Sequence, residues 1–543
     1  MYCSYERIVM QQKEDHVGDV QAWQNRMLPT FPPPQQLVVY DIRQTSTDAR
    51  LTLSALVGLI HRTQVSIYLI YKDDDLFWLQ SCLQEIPHER PNIVGDEVLS
   101  VLLTTHRQLV QGMIVYDPAL LDTINVATML AGQKNALVVA PTQVQALQER
   151  YQLSVLVDLR AYQWRSRLQA YAWAYQHLLA DASPQLVAGL NPTIVDYLRS
   201  YLVATRTFIY WLDARAYLPD LSVGLLSEQH LMQQILACFA YRAVHLGWFI
   251  DEGTGVNLTS SVAIPVLASD YCTNLEVWSA VQPLSQSTLT TRSTTGMEAI
   301  KTDKVYVSFT ISDGDNLQYC QHRMGQLWRE PLRGSFPLGW TISPVLHEAA
   351  PALASYYLNS MTANDELVAG PSGAGYMYPT SWPKGQLSPF LQRTGQMMQA
   401  MHLSVLSVLD ANILQRIGIP FASYLTGMNF AGKEQQRQYV RELSYYGLRG
   451  ILSGSGFFYN CWHIEDKIPV YQNLGLAASA VQIVQQVTRA VYLHRQRPLF
   501  LNIYLLAWDI TLAEIKKAME QLERDYEFVL PGQLLSMLAE TMA

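Results

Sequence analysis

The chain has 543 residues and carries a formal net charge of −8, from 38 basic and 46 acidic side chains. Hydrophobic residues make up 49% of it and charged residues 15%, which is typical of a globular protein with several cores and excludes a disordered or fibrous chain. The acidic balance argues against nucleic acid as a partner.

Cysteine usage and the N-terminus set further limits. The six cysteines are widely scattered and form no CxxC pair, so neither a zinc ribbon nor a dense disulfide framework is expected. The start of the chain lacks a basic segment followed by an apolar one, and no apolar run reaches the length of a membrane span, about 18 residues. We therefore expect no membrane partner and, by default, a cytoplasmic location, whereas the oligomeric state stays open.

Strands and helices alternate in the first part of the chain, after an arm (residues 1–36) that ends in the polyproline stretch FPPPQQ. Buried strands are predicted at Leu37–Arg43, Val65–Tyr71, Met113–Asp117, Ala136–Ala140 and Val155–Arg160. This alternation is typical of Rossmann-like α/β layers with a parallel sheet. No GxGxxG or GxxxxGK[ST] motif follows these strands, so no nucleotide is predicted and no cofactor is expected.

The pattern turns helical from Trp164 to Tyr210, and a further strand is predicted at His245–Asp251. Acidic residues close two apolar segments, at Asp251-Glu252 and at Asp270, where turn and cap roles are more common than a place in a pocket. A stretch rich in Ser and Thr then marks a linker. The expected units are the arm 1–36, three N-terminal α/β subdomains at 37–112, 113–185 and 186–281, the linker 282–302 and a C-terminal domain at 303–543.

The C-terminal domain is predicted to be a β/α, TIM-like barrel. About eight strands alternate with helices over about 240 residues, which is the size of one such barrel. An open doubly wound sheet, or a distorted barrel of about seven strands, is the alternative, because the helix at Asn412–Arg416 is very short. The predicted strands are Val305–Ile311, Leu338–Ile342, Glu366–Ala369, Ser404–Leu409, Ile419–Leu425, Gly450–Ser453, Leu499–Ala507 and Phe528–Leu530.

Carboxyl groups follow the predicted barrel strands, at the ends where barrels carry their catalytic side chains. Asp313, Asp315 and Asn316 follow the first strand, Glu348 the second and Asp410 the fourth. Glycoside hydrolysis needs one carboxyl to protonate the leaving oxygen and another to activate water or attack the sugar. We therefore predict catalytic roles for the three aspartates and substrate contacts for the other two residues, with turn and cap roles as the alternative.

Aromatic side chains are predicted at the same rim, where flat faces with a polar edge suit hydroxylated ligands. The stretch GPSGAGYMYPTSWP (residues 370–383) follows the third strand, and its prolines and glycines predict a rigid loop rather than a helix. Two later strand ends bring further rings. The predicted substrate-binding side chains of this kind are Tyr376, Tyr378, Trp382, Trp462, His463 and Trp508.

The same loop carries a recognisable motif. Gly373–Pro379 reads Gly-Ala-Gly-Tyr-Met-Tyr-Pro and matches all five fixed positions of Gly-x-Gly-Tyr-x-Tyr-Pro. With the SDGDN turn after the first barrel strand, the chain resembles the GxGYxYP family, a bacterial family whose glycoside hydrolase activity is inferred. The resemblance implies small N-terminal subdomains before a barrel-like domain and a carbohydrate substrate. It supplies no established catalytic pair, so the roles above rest on strand-end position.

Two other functions stay open. Polysaccharide deacetylases place an aspartate pair after the first barrel strand, as Asp313 and Asp315 stand here, but they also need two histidines after the next strand. Only His347 occurs in that region, so no metal is predicted. A non-catalytic carbohydrate-binding protein would keep the aromatic side chains without needing an acid.

Overall fold

The computed structural model describes residues 26–241, 243–284, 299–411, 429–457, 461–522 and 525–541. The predicted strand Ile419–Leu425, the predicted helix Asn412–Arg416 and most of the linker 282–302 lie outside these residues. In the part that is described, none of the helices combines the length and hydropathy needed to cross a membrane.

Two small parallel sheets form from the first predicted strands. β1 (Leu37–Asp41) lies between β2 (Ile67–Ile70) and β3 (His88–Glu89). β4 (Gly112–Val115) lies between β5 (Ala136–Val139) and β6 (Val155–Asp158). The five strands predicted here are confirmed. The helices of this region are Thr47–His61, Asp73–Cys82, Glu97–His106, Thr123–Lys134, Val144–Tyr151 and Arg167–Leu178.

A third parallel sheet corrects the prediction of a helical pattern from Trp164 to Tyr210 and confirms the strand predicted at His245–Asp251. Its strands are very short and buried, so they show neither the alternation of a half-exposed strand nor enough length to be told from a buried helix. In spatial order they are β10 (Val266–Leu267), β9 (Val244–Gly247), β7 (Leu186–Gly189) and β8 (Phe208–Tyr210). The helices around them are Arg199–Thr205, Glu228–Cys238, Glu252–Ser261 and Leu275–Ala280.

Seven parallel strands close a barrel in the C-terminal half. They are, in order around the ring, β11 (Val305–Ile311), β12 (Leu338–Ile342), β13 (Asp365–Ala369), β14 (Val405–Val408), β15 (Gly450–Phe457), β17 (Ile468–Ala477) and β18 (Leu499–Leu505). β11 pairs with both β12 and β18, which closes the ring. The helices of this half are Leu317–Gln321, Arg323–Trp328, Leu346–Ala349, Pro351–Ser360, Leu387–Ala400, Lys433–Leu443, Ala480–Leu493, Leu512–Gln521 and Pro531–Glu540.

The seven-stranded ring agrees with the alternative of about seven strands and corrects the expectation of about eight. The last predicted strand forms as β19 (Tyr526–Phe528), but it pairs with β11 only at Val305–Val307. β12 pairs with the other end of β11, at Thr310 and Ile311. β19 therefore lies beside the ring at its amino end and is not one of the strands that close it.

A hairpin inside the barrel region also differs from the prediction. Cys461–Glu465 forms β16, which runs antiparallel to β17, so Trp462 and His463 lie on a strand and not on a strand-end loop. Asp466 and Lys467 join the two strands with φ angles of 46° and 70°, the left-handed pair of a two-residue hairpin turn. Such turns are recognised by Asn-Gly or Asp-Gly, and this one carries neither.

Candidate active site

The main cavity lies between the carboxyl ends of the barrel strands and the third N-terminal sheet, and it has a volume of about 580 Å³. Seven of the predicted site residues line it: Asp313, Asp315, Asn316, Tyr376, Tyr378, Asp410 and Trp508. The N-terminal sheet contributes the opposite wall with Trp248, Glu252, Gly253, Asp270 and Tyr271.

The turn after β11 brings two carboxylates into this cavity. Asp313 has a φ of 69°, a left-handed conformation that is uncommon for a residue other than glycine. The next amide, of Gly314, donates to Thr341 Oγ1 at 2.9 Å, which holds the turn against β12. Asp315 follows, and Asn316 accepts the Tyr319 N–H at 3.0 Å as the N-cap of the next helix. The strand end thus fixes the two carboxylates on either side of one glycine.

Three carboxyl groups from two domains influence one another's ionisation here. Asp315 is 6% exposed, and burial raises its pKa well above the ordinary value, with further contributions from the charges of Asp313 and Glu252. The pKa of Glu252 is also raised, by partial loss of water around it in the cavity and by the nearby Asp313, although its side chain keeps exposed surface. Among the described residues, no other side chain donates a hydrogen bond to Asp315. This carboxyl is therefore the member of the group most strongly held in its protonated form.

Asp313 is the same type of residue as Asp315, but its carboxylate has different neighbours. Its carboxylate accepts hydrogen bonds from the hydroxyl of Ser312 and, at 3.2 Å, from the indole N–H of Trp508. Burial raises the pKa of Asp313, and these two donors oppose that rise. Trp508 is 45% exposed, so one end of its ring orients the carboxylate while the rest faces the cavity.

The Gly-x-Gly-Tyr-x-Tyr-Pro loop joins the barrel to the third N-terminal sheet. Tyr376 exchanges two backbone hydrogen bonds with Val266 of β10, of 2.8 and 2.9 Å. Its hydroxyl donates to Glu252 Oε1 at 3.0 Å, and its ring stacks on Trp248 at 6.4 Å between centroids. A Cβ at Gly375 would lie 2.9 Å from Pro265 Cβ, so only glycine allows this approach. The motif is thus a contact between domains as well as part of the cavity wall.

Asp410 fastens the far end of the same loop. It is 1% exposed, and its carboxylate accepts hydrogen bonds from the backbone N–H of Thr380 at 3.2 Å, from the Thr380 hydroxyl, and from the Ala411 N–H at 2.8 Å. Tyr378 lies between Asp410 and the acidic group, and its backbone N–H donates to Ser260 Oγ at 2.9 Å. Asp410 therefore positions the loop while it lines the cavity.

Glu348 is outside the cavity lining. It is buried, pairs with the guanidinium of Arg393, and accepts the backbone N–H of Met27 at 2.7 Å. The carboxylate thus ties the N-terminal arm to the helix Leu387–Ala400, which is a structural contact that connects distant parts of the chain.

Three predicted ring side chains are also outside the cavity lining. Trp382 is buried against Phe390, at 5.0 Å between ring centroids. Trp462 packs beside Tyr471 on the β16–β17 hairpin, and His463 follows it there. Burial lowers the pKa of His463. These rings contribute to packing around the barrel and not to the wall of the cavity.

In the sequence, turn and cap roles were favoured over a place in a pocket for the acidic residues that form the wall from the third sheet. Asp251 caps the helix Glu252–Ser261 through the N–H of Thr254, as acidic residues at such positions commonly do. The next residue, Glu252, nevertheless lines the cavity, and so does Asp270 after β10. Glu252 follows the strand predicted at His245–Asp251, which forms as β9, but a turn or cap role was favoured there. Asp270 follows β10, which was not predicted.

A metal ion needs several ligating side chains close together. Over the described ranges, no three His, Cys, Asp or Glu side chains are grouped as a metal ion would require. His347 lies in the helix Leu346–Ala349 and does not line the cavity.

The stability of the folded chain is expected to fall with rising pH more steeply than that of an Asp315→Asn variant. The pKa of Asp315 is raised on folding, so its contribution is complete below the unfolded value of about 4 and is lost as the pH rises through the folded value. Thermal unfolding midpoints measured from about pH 4 to about pH 9 should fall less for the variant than for the wild type as the pH rises. If the two curves of unfolding midpoint against pH ran parallel, the buried Asp315 carboxyl would not have a raised pKa in the folded protein.

Comparison with known proteins gives matches along nearly the whole chain. Four related family models match: "GxGYxYP_N 1st domain" at 36–93, "GxGYxYP_N second domain" at 110–182, "GxGYxYP third domain" at 184–280, and "GxGYxYP putative glycoside hydrolase C-terminal domain" at 303–539. A crystal structure of a "putative hydrolase" from Bacteroides thetaiotaomicron VPI-5482 superposes with a TM-score of 0.76, at 21% identity over 94% of this chain and 96% of that one. Curated proteins show no significant match.

Proposed function

Because the chain belongs to the GxGYxYP family, whose C-terminal domain is described as a putative glycoside hydrolase, we propose that it hydrolyses an oligo- or polysaccharide at the carboxyl rim of its barrel. The observation that carries the proposal is Asp315, a buried carboxyl with a raised pKa beside a second carboxyl, Asp313. Two carboxyl groups whose surroundings favour different protonation states are what acid/base hydrolysis of a glycoside uses.

Asp315 is assigned as the general acid. Held protonated by burial and by its neighbours, it donates its proton to the glycosidic oxygen as the C–O bond to the leaving sugar breaks. Asp313 is the second carboxyl. Hydrogen bonds from Ser312 and Trp508 favour its ionised form, which attacks the anomeric carbon or removes a proton from the attacking water. Asp410 keeps the loop of Tyr378 in place and acts through it.

Exposed rings in the cavity supply the sugar platform. Trp508 is 45% exposed and Tyr271 is 42% exposed, whereas Tyr376 and Tyr378 are 5% and 4% exposed. A ring needs a free face to stack on a sugar. We therefore assign stacking to Trp508 and Tyr271, and assign the two tyrosines of the motif to shaping the wall.

The test is a hydrolysis screen of the purified full chain against a glycan panel, with reducing ends and released acetate measured in the same samples. New reducing ends that depend on Asp315 would support the proposal, and the anomer formed first would give the stereochemical course. Acetate without new reducing ends would favour a deacetylase. Binding of a glycan with neither product would favour a binding protein, and either result would overturn the proposed reaction.

A further inference from the structure

The charge of the cavity carries information about its ligand. Five carboxyl groups line it, and the lining formed by the described ranges contains no Lys, Arg or His. The five are Glu252, Asp270, Asp313, Asp315 and Asp410. Even with Asp315 protonated, an acidic sugar would meet carboxyl groups on both walls and no basic side chain to pair with, and like charges in a low-dielectric recess repel strongly.

The nearby basic side chains are engaged outside the cavity. Arg215 reaches Asp251, behind Glu252, at 3.6 Å. Arg323 donates to the backbone oxygens of Ala507 and Ile510. Lys72 lies 5.9 Å from the centre of the Tyr271 ring but is not part of the lining. These three basic side chains lie outside the lining, so the acidic residues of the wall have no counter-charge among the residues that line the cavity.

Asp270 gives a second and independent indication of a ligand. It is 8% exposed, and the nearby side chain of Gln318 opposes the rise that burial causes in its pKa. Its Oδ1 atom is buried and has no hydrogen-bond partner in the described part of the chain. Buried carboxylate oxygens are normally hydrogen-bonded, because leaving one unpaired costs free energy. Burial raises the pKa of Asp270, and a bound cation would favour its ionised form.

We propose that the cavity binds a saccharide with a free primary amine, such as an unacetylated hexosamine residue, and that Asp270 accepts a hydrogen bond from its ammonium group. An ammonium offers three donors and one positive charge, which would pair Oδ1 and reduce the repulsion along the wall. Exposed Tyr271, next in the chain, offers a ring face to the same cation or to the sugar ring. The choice of a saccharide rests on the proposed function, whereas the preference for an amine rests on the charge of the wall.

The experiment compares three hexasaccharides by titration calorimetry with the full chain at low salt. Glucosamine and N-acetylglucosamine hexamers differ only in acetylation, and a galacturonate hexamer supplies the opposite charge. We expect the glucosamine hexamer to bind about tenfold tighter than the acetylated one, as a charge-assisted hydrogen bond implies, and the galacturonate hexamer not to bind. Asp270→Asn should remove most of that preference.

A matched control separates local contact from net charge. Asp303→Asn makes the same charge change at an exposed residue before β11, at the opposite end of the barrel, and should leave all affinities unchanged. Equal binding of the two amino-sugar hexamers, tight binding of the galacturonate hexamer, or equal losses in both variants would overturn the proposal. Calcium chloride alone, titrated in the same way, would also overturn it if calcium bound with the same dependence on Asp270.

The outcome for binding is separable from the outcome for catalysis. An amine preference that depends on Asp270, in a protein that turns over no glycan, would sustain this inference while the hydrolase proposal failed. Turnover of a neutral glycan without any preference for an amine would support the hydrolase proposal and contradict this inference.

Discussion

Asp315→Asn is expected to lower the turnover of a natural glycan by about 10²–10⁴-fold, the usual contribution of a general acid. The amide has nearly the same shape as the protonated carboxyl but cannot give up a proton at the leaving oxygen. Because Asp315 is buried among other acids, the fold should tolerate the change. The measurement is kcat/KM for the glycan that the hydrolysis screen identifies, with circular dichroism as the check on folding.

An activated substrate makes this prediction sharper. A dinitrophenyl glycoside has a leaving group that needs little protonation, so Asp315→Asn should retain most of its activity on it. Asp313→Asn should lose activity on both substrates, because attack on the anomeric carbon is needed in each case. If Asp315→Asn kept full activity on the natural glycan, or if both variants lost both activities equally, the assignment of the acid would be wrong.

Asp410→Asn is the matched comparison within the cavity. Its carboxylate accepts two N–H groups and one hydroxyl, and an amide can keep only part of this set. The variant should therefore be less stable to heat and should bind substrate more weakly, since the loop with Tyr378 would loosen. An increase in KM that is larger, as a factor, than the decrease in kcat would indicate that Asp410 positions the loop and is not catalytic.

Six of the seven barrel strands could be predicted as apolar runs between polar or turn residues, whereas β17 (Ile468–Ala477) was not among the predicted strands. Val305–Ile311 and Leu338–Ile342 were predicted with the bounds that the structure has. β11 has seven consecutive residues without a charged side chain, and several of them are β-branched or aromatic. This pattern favours a buried strand over a buried helix. The strand-end rule then found Asp313 and Asp315, since consecutive parallel strands bring their carboxyl ends to one rim.

The rest of the site depends on contacts that no local pattern encodes. Glu252 and Asp270 come from a separate sheet, and they meet the barrel because Tyr376 pairs with Val266 across more than a hundred residues of sequence. The aromatic loop was predicted to be a sugar platform, which would require free ring faces. Packing against the third sheet takes the faces of its two tyrosines instead, and Gly375 is conformationally suited to that contact.

Gly314→Ala is expected to cause the second large loss, through the backbone. A Cβ at this position would lie 2.1 Å from the carbonyl carbon of Thr341 and 2.3 Å from the nitrogen of Ile342, both in β12. Backbone atoms inside a strand cannot move aside as a flexible side chain can. Moreover, β11 and β12 pair only at Thr310–Ile311, directly before this turn, so a displacement would open the seam of the barrel.

The consequence should appear in stability and in activity together. Overpacking of this kind costs about 1–3 kcal/mol or more, so the unfolding midpoint should fall by several degrees. Turnover should fall by about 10²-fold, because a shift of the turn by about 1 Å misplaces Asp313 and Asp315.

Gly385→Ala is the matched control, since a Cβ there would meet no atom within 4 Å and the residue is exposed in the short helical turn Lys384–Gln386. It should retain wild-type stability and turnover. A Gly314→Ala protein that also matched the wild type would mean that the turn can move away from β12 without cost. The positions of both carboxylates would then have to be maintained by something other than the close contact between Gly314 and β12.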